Sequence, residues 1–390
     1  VINSRKIPQI PEDINQDLLI ELVVKNSLQA IGYIAFAKQD FKYNDRLEKS
    51  YRTVVAREIS QQSESDRIRK EFSENGIDFI FLKGSHLKKL YPLPELRFMA
   101  DMDVLVRLND VEKAKEILLS HGFEQKMNNG KDIVLTKKPF LTVELHNTLF
   151  VEEYYMYDYF LSVWDKAKKI SEHEYAMTDS DMYIYTMAHL AEHFTTGGAC
   201  FRPTMDIYLM CKKMSETLDF SYIEKEFQKL SLEDFAKKIE AVSKQMFSEY
   251  KKDPSLEITE NFIVLGPPVK NTGVANLDGK KRSKAQNIFK SLFPSLKHMK
   301  LLFPVLKKAP VLLPLFWIVR LVERVFSKTA REKFVKIKSA DPKDIEIMEK
   351  IYRESGIKKI LHNPRVYPIK IYSGVNFVIK LYIYAKPRYS

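Results

Sequence analysis

The sequence predicts an α+β fold, in which a small mixed sheet with packed helices is joined to large helical regions. Three observations support this prediction. Short apolar runs alternate with helical patterns between residues 76 and 148. From about residue 180, apolar residues recur at intervals of three and four, which is the spacing of a helix with one buried face. Hydrophobic residues make up 45% of the 390-residue chain and only 12 residues are Gly, so a globular protein is expected.

Residues 1–75 are expected to form N-terminal helices. The stretches 15–38 and 51–75 both carry apolar residues at helical spacing. Gly76 follows the second stretch, where it is placed to end a helix.

Residues 76–178 are expected to form the core of the protein around a mixed sheet. Asn128, Asn129 and Gly130 separate two of its apolar runs, a pattern typical of a hairpin turn. The order of strand, helix, strand and helix, followed by further strands, predicts a sheet with helices packed against it. The strands are predicted at 77–83, 100–106, 123–126, 131–137 and 140–147, with helices at 84–91 and 109–122.

The remainder of the chain is predicted to be mainly helical. Residues 179–250 form a helical domain, and 251–283, rich in Pro, Gly, Asn and Lys, a linker or long loop. Residues 284–390 form a C-terminal helical segment and a tail, which ends in two β-like runs at 367–372 and 376–384.

The net charge of +12 is concentrated in basic stretches between residues 280 and 338. Such a segment could be a solvated helical face, or it could contact nucleic acid or an acidic membrane surface. Its longest apolar run, 310–319, is far shorter than the roughly 20 residues of a spanning helix. Packing on the core, with Leu315 and Trp317 buried, is favoured over peripheral membrane contact. No RNA-recognition motif is present, so charge alone does not establish nucleic acid as a partner.

The chain contains two cysteines, Cys200 and Cys211, which form neither a disulfide framework nor a zinc pattern. The first residues are polar and do not resemble a signal peptide. A reducing, cytoplasmic location is therefore expected.

Two aspartates in a predicted strand suggest a metal site. Asp101 and Asp103 lie two apart, so their side chains project from the same face of the strand. Two carboxylates this close repel each other unless a positive charge lies between them. A divalent cation such as Mg²⁺ would remove that cost. The alternative is a pair of strand-end carboxylates that cap the next helix or pair with Arg97.

A third carboxylate strengthens the hypothesis of a metal site. Glu144 and His146 share one face of the predicted strand at 140–147. If this strand lies beside that of Asp103, Glu144 can join Asp101 and Asp103, and three carboxylates would hold one or two Mg²⁺ ions for a phosphoryl displacement. His146 is then either part of the site or a hydrogen-bonded histidine beside it.

A Gly-Ser pair, Gly84-Ser85, stands where the first predicted strand becomes a helix. Helix N-termini offer free N–H groups to phosphates. Gly84 allows close approach of the backbone, and the Ser85 hydroxyl adds a donor. Lys83 is either a phosphate contact or a surface charge.

These motifs together resemble the nucleotidyltransferase family 5 group of the DNA polymerase beta superfamily. The resemblance spans about residues 15–335 and is specific around 82–146. It extends to His189 and His193 in "HLAEHF" and to Arg202 and Asp206 in "RPTMDI". The residues that carry it are Leu82-Lys83-Gly84, Tyr91-Pro92, Arg97, Asp101, Asp103, Glu144 and His146.

The resemblance implies Mg²⁺-dependent transfer of a nucleoside monophosphate from a nucleoside triphosphate, for example ATP, to an acceptor hydroxyl of a small molecule or protein. It implies that Asp101, Asp103 and Glu144 bind two metal ions. Nucleotide-binding roles then fall to Lys83, Gly84, Ser85 and Arg97. The alternative is a non-catalytic nucleotide-binding or regulatory protein, similar to an antitoxin, that keeps the fold.

A polar group on the predicted helices is a candidate acceptor pocket. His189 and His193 lie four apart and share a helix face. Arg202, Asp206 and His146 could complete a polar patch with them. The alternative, a hydrogen-bonded network in the helical core, stays open.

Overall fold

The computed structural model describes residues 1–2, 7, 9–128, 131–151, 154–196, 200–248, 252–268, 293, 296, 299, 303, 305–326 and 342–357. It confirms the α+β fold, with one seven-stranded mixed sheet and many helices. The strands are β1 (Phe79–Phe81), β2 (Met102–Val106), β3 (Glu124–Asn128), β4 (Asp132–Lys137), β5 (Leu141–His146), β6 (Lys168–Lys169) and β7 (Glu174–Ala176).

The N-terminal region contains helices α1 (Gln16–Lys25), α2 (Gln29–Phe36) and α3 (Asn44–Glu74). A single helix was expected over 15–38, but the chain breaks at Ser27, whose φ is +58°. The Asn26 side chain donates to the carbonyl oxygens of Leu22 and Val264, which anchors this break. Gly76, at φ +65°, follows the end of α3 as expected.

The centre of the sheet determines how the polar residues are arranged. The strand order is β3-β4-β5-β2-β1-β7-β6, and β2 runs parallel to β5 but antiparallel to β1. The short strands β6 and β7 were not predicted. Two or three residues are too few to show a period-2 pattern in a sequence.

The two faces of the sheet pack against different layers. Met102, Val104 and Val106 of β2 join a buried cluster with residues of α3 and of α5 (Val111–Ser120). Leu105, on the opposite face, belongs to the larger core that includes the later helices. The alternation along β2 therefore directs its polar residue, Asp103, toward the helical side.

The helical side consists of α8 (Asp179–Thr196), α9 (Phe201–Lys213), α10 (Phe220–Leu230), α11 (Glu233–Phe247) and α12 (Glu257–Leu265). The last of these lies where a linker or long loop was expected. It forms because Phe262 and Ile263 are buried in the core, with the Phe262 ring 4.1 Å from that of Phe194. The short helices α4 (Gly84–Leu87), α6 (Tyr157–Phe160) and α7 (Val163–Lys166) lie earlier in the chain.

The C-terminal part contains α13 (Val305–Lys308), α14 (Leu313–Phe326) and α15 (Pro342–Glu354). The expectation that Leu315 is buried was wrong, since it is 54% exposed, whereas Trp317 is half-buried. Among the helices that the structure describes, none is long and apolar enough to cross a membrane. The β-like runs at 367–372 and 376–384 lie outside the described residues.

A buried ion pair joins the loop before β2 to helix α9. Arg97 donates from Nε and Nη2 to the two carboxylate oxygens of Asp206, at 2.8 and 2.7 Å. The Tyr91 hydroxyl donates to the same carboxylate at 2.7 Å. Arg97 is 7% exposed and Asp206 1%. This network fixes the loop that leads into the aspartate strand against the helical side.

We expect Asp206→Ala to lower the free energy of unfolding by about 3–5 kcal/mol, because it leaves the Arg97 guanidinium buried without its carboxylate. Urea denaturation measures this loss. The double variant Arg97→Leu with Asp206→Leu should cost less than the two single Leu changes added together. Strict additivity would show that the two side chains do not depend on each other.

Candidate functional site

The parallel pairing of β2 and β5 brings the predicted acidic residues together. Asp103 lies opposite Glu144, and Leu105 opposite His146. Since side chains alternate along each strand, Asp103, Glu144 and His146 project from the same face. One ligand atom from each of these residues lies within 4.8 Å of the others. The sequence-based placement of Glu144 beside Asp103 is thus matched by the register of the sheet.

His146 is at the centre of this group. Its Nε2 lies 2.9 Å from Asp103 Oδ1 and 3.8 Å from Glu144 Oε2. Its Nδ1 lies 3.9 Å from Asp132 Oδ2, across the β4–β5 pair. His146 is only 4% exposed. The imidazole therefore holds the Asp103 carboxylate in one orientation.

Asp101 precedes β2 and lies outside the 4.8 Å group. Burial raises its pKa, and the negative charge of Asp103 raises it further. The two aspartates therefore interact electrostatically as expected. The close cluster, however, consists of Asp103, Glu144 and His146, and Asp101 is not part of it.

The carboxylates of the site differ in how readily they ionise. Burial, and then the charges of Asp103, Asp101 and Asp132, raise the pKa of Glu144 to about 8. Burial opposes ionisation of Asp103, but its hydrogen bond with His146 and the charges of His146, Lys83 and Lys131 hold its pKa well below the usual range. The site thus combines one firmly ionised carboxylate with a second that resists ionisation, an arrangement that favours a bound cation.

The Gly84-Ser85 pair lies at the start of α4, directly after β1. A Cβ at Gly84 would collide with the Met99 sulfur and would lie 2.9 Å from Arg97 Nη1. A larger residue here would displace the Met99 and Arg97 side chains of the loop before β2. The Ser85 hydroxyl is buried and has no hydrogen-bond partner among the described residues, so it is available to a ligand.

Lys83 connects β1 to α4 in an unfavourable backbone conformation, with φ +26° and ψ −89°. Its ammonium lies 4.7 Å from the centre of the Tyr185 ring. Burial lowers the pKa of Lys83 to about 8, although Asp103 opposes this. Strained backbone at a non-glycine residue is typical of functional sites. The Lys83 ammonium lies close enough to Asp103 and Asp101 for their charges to interact.

Helices α8 and α9 form the wall opposite the acids. The rings of His189 and His193 lie 4.3 Å apart. Burial, and then the charge of Lys83, lower the pKa of His193 to about 4 and that of His189 well below its usual value. Both imidazoles are therefore neutral near pH 7. Arg202 packs over the Phe98 ring and donates to the Phe98 carbonyl oxygen, while its Nε is buried without a partner among the described residues.

The structure divides the residues predicted for nucleotide and acceptor binding into two groups. Arg97 and Asp206 pair with each other, so their charges stabilise the fold around the site. His189, His193 and Arg202 lie close enough to Lys83 or Asp101 for their charges to interact.

Several residues near the site were not predicted. The charges of Lys131 and Glu192 act on Lys83, and Tyr185 lies below its ammonium. Asp132 could have been found, because the alternation along β4 places it beside His146 on the same face. The other three depend on tertiary packing that no local pattern encodes.

We expect Glu144→Gln to stabilise the protein when divalent cations are absent. The pKa of Glu144 is raised from 4.5 to about 8 by folding, so wild-type stability falls as pH rises through that interval. Near pH 8.5 the variant should be more stable than wild type by about 1–3 kcal/mol, and near pH 4 the gain should vanish.

Urea titrations in a chelator measure this difference. Glu112→Gln on α5 is the control, because its side chain is 67% exposed on the other side of the sheet. Added Mg²⁺ should stabilise wild type more than the Glu144 variant. Equal effects of Mg²⁺ on both would contradict a cation at Glu144.

Comparing Lys83→Gly with Lys83→Ala tests the strain at this position. Both changes remove the ammonium, but only Gly tolerates the positive φ without strain. We expect the Gly variant to be more stable than the Ala variant by about 1 kcal/mol, despite the greater chain entropy that Gly loses on folding. Thermal unfolding of both variants gives this difference. An Ala variant as stable as the Gly variant would argue against strain.

Comparison with known proteins places the chain in a family. No curated protein and no solved structure matches it. A model of the family described as uncharacterised nucleotidyltransferases matches residues 12–248, which contain the sheet, the acidic cluster and helices α8 to α11. The matched region covers more than half of the chain, and the chain therefore belongs to this family of uncharacterised nucleotidyltransferases.

Proposed function

We propose that this chain transfers a nucleoside monophosphate from a nucleoside triphosphate to an acceptor hydroxyl, in a reaction that depends on a divalent cation. The family supports nucleotidyl transfer in general. The observation that carries the finer proposal is the opposition of Asp103 and Glu144 in register, with His146 between their carboxylates.

The donor set fits Mg²⁺. This ion prefers oxygen ligands, uses one or two carboxylates and leaves its other positions to water and substrate phosphates. Asp103 and Glu144 supply the carboxylates, and Asp101, whose charge interacts with that of Asp103, is proposed to serve a second ion. His146 positions Asp103 through its 2.9 Å contact. When bound, the ion offsets the charge of the phosphates and makes the acceptor hydroxyl easier to deprotonate.

The triphosphate is proposed to lie over the Lys83-Gly84-Ser85 turn. The unpaired, buried Ser85 hydroxyl donates to a β- or γ-phosphate oxygen. The Lys83 ammonium, held above Tyr185, compensates the charge that builds up on the leaving pyrophosphate. ATP is the triphosphate we expect.

The acceptor is proposed to enter between Glu144 and the wall formed by α8 and α9. Glu144 is placed to accept the proton of the attacking hydroxyl as the bond to the α-phosphorus forms and the bond to pyrophosphate breaks. Neutral His189 and His193 can donate or accept hydrogen bonds to a polar acceptor. The Arg202 Nε offers one further donor.

A transfer assay tests the proposal. The protein is incubated with Mg²⁺, each ribonucleoside triphosphate labelled at the α-phosphate, and a panel of small-molecule and protein acceptors. Pyrophosphate release and labelled acceptor are measured together. We expect Asp101→Asn with Asp103→Asn to lower the rate on the order of 10²–10³-fold, as loss of an electrostatic stabiliser of the transition state does. Asp101→Asn removes a charge that the site disfavours, whereas Asp103→Asn removes one that His146, Lys83 and Lys131 stabilise, so circular dichroism and urea denaturation of the double variant accompany the assay.

The control is again Glu112→Gln, which removes an exposed carboxylate from the far side of the sheet and should transfer at the wild-type rate. Wild-type protein that binds a triphosphate in calorimetry but releases no pyrophosphate with any acceptor would favour a regulatory, non-catalytic role. Unchanged transfer by the double aspartate variant would contradict the assigned site.

A further inference from the structure

The outer face of α14 and of the turn before it carries an exposed apolar stripe. Val311 is 83% exposed, Leu315 54% and Ile318 59%. Their spacing of four and three residues places them on one side of the chain as it enters and follows the helix. Val305, in α13, is a further exposed aliphatic residue at 44%.

The opposite side of the same helix is packed. Arg320 is 7% exposed. The Trp317 ring lies 5.5 Å from that of Phe293, and the Phe316 ring lies 4.7 Å from that of Phe303. The helix therefore has an inner side that is already occupied, and the stripe is a separate, outward-facing feature.

The stripe differs from exposed apolar residues that stand alone in their elements. Ile59 and Leu108, which are 65% and 71% exposed, lie in separate elements, as single apolar residues on protein surfaces commonly do. The stripe instead has three exposed aliphatic residues at helical spacing. Such surfaces usually mark a place of interaction.

The sequence around the stripe is strongly basic. Residues 280–338 contain sixteen Lys or Arg and two Glu, a net charge of +14. This exceeds the +12 of the whole chain, so the remaining residues together carry −2. A partner that accepts aliphatic side chains and also attracts positive charge would complement both the stripe and the sequence that contains it.

Three candidate partners meet only part of this requirement. Residues 358–390 contain seven Lys or Arg and no acidic residue, so the C-terminal tail does not complement the charge. A second copy bound through the same stripe would set one +14 segment against another. Nucleic acid would satisfy the charge, but it binds through phosphates and stacked bases and leaves aliphatic side chains unused.

An anionic lipid surface meets both parts. Basic residues are attracted to its headgroups, while exposed aliphatic and Trp side chains enter the boundary between headgroups and acyl chains. We propose that the Val311–Leu315–Ile318 stripe docks this chain on an anionic membrane surface, without crossing it.

Co-sedimentation of the full chain with vesicles tests this proposal. Two vesicle types are compared, phosphatidylcholine alone and phosphatidylcholine mixed with phosphatidylglycerol. We expect pelleting with the anionic vesicles and little with the neutral ones. Binding should weaken as salt is raised, because salt screens the attraction between lysines and headgroups.

A matched pair of variants isolates the stripe. Leu315→Gln with Ile318→Gln should lower the partition coefficient onto anionic vesicles about tenfold or more. The reason is that two aliphatic side chains that would enter the lipid are replaced by polar ones. Ile59→Gln with Leu108→Gln removes the same number of similarly exposed aliphatic residues elsewhere and should bind as wild type does. Circular dichroism and urea denaturation of both variants establish that each is folded.

Three results would overturn the proposal. In the first, both double variants bind anionic vesicles as tightly as wild type, so charge alone explains the binding. In the second, the wild type does not pellet with anionic vesicles but binds an RNA or DNA fragment. In the third, it forms a dimer that the stripe variant abolishes, and it ignores vesicles.

Discussion

The parallel pairing of β2 with β5 is the constraint on which the candidate site depends. A slip of one residue in this register would turn Asp103 or Glu144 to the other face of the sheet, into the apolar cluster with α3 and α5. Burying a carboxylate there without a partner would cost several kcal/mol, roughly 2–7 for a polar group and more for a charged one. The apolar residues that alternate with the acids therefore fix the site as firmly as they fix the fold.

Electrostatics near the site follow from the same arrangement. The sheet presents acids to helices that contribute neutral imidazoles, and the charges of Lys83 and Arg202 act on the acids. The two sides are held together by the buried contact of Arg97 with Asp206, which also fixes the segment against which Gly84 packs. The polar residues that the sequence analysis singled out thus form two groups. Lys83, Arg202 and His193 interact with the acids, whereas Arg97 and Asp206 hold the surrounding segments in place.

The sequence alone was enough to predict those features that show a regular spacing of apolar residues along the chain. Alternation in "DMDVLV" and "LTVELH" identified the strands and the shared face of Asp103, Glu144 and His146, and the motifs identified the family. It did not reveal the short strands β6 and β7, which are too short for a pattern, or helix α12, whose Pro- and Gly-rich surroundings resemble a loop. The exposure of Leu315 was also missed, because an apolar residue at helical spacing does not state which side of its helix is covered.

The close packing at Gly84 has a consequence for the evolution of this chain. A side chain at position 84 would force the Met99 sulfur and Arg97 Nη1 to move, and Arg97 is held by Asp206. Substitutions at these positions are therefore expected to depend on one another. A larger residue at position 84 should be tolerated better when Met99 is replaced by a smaller residue.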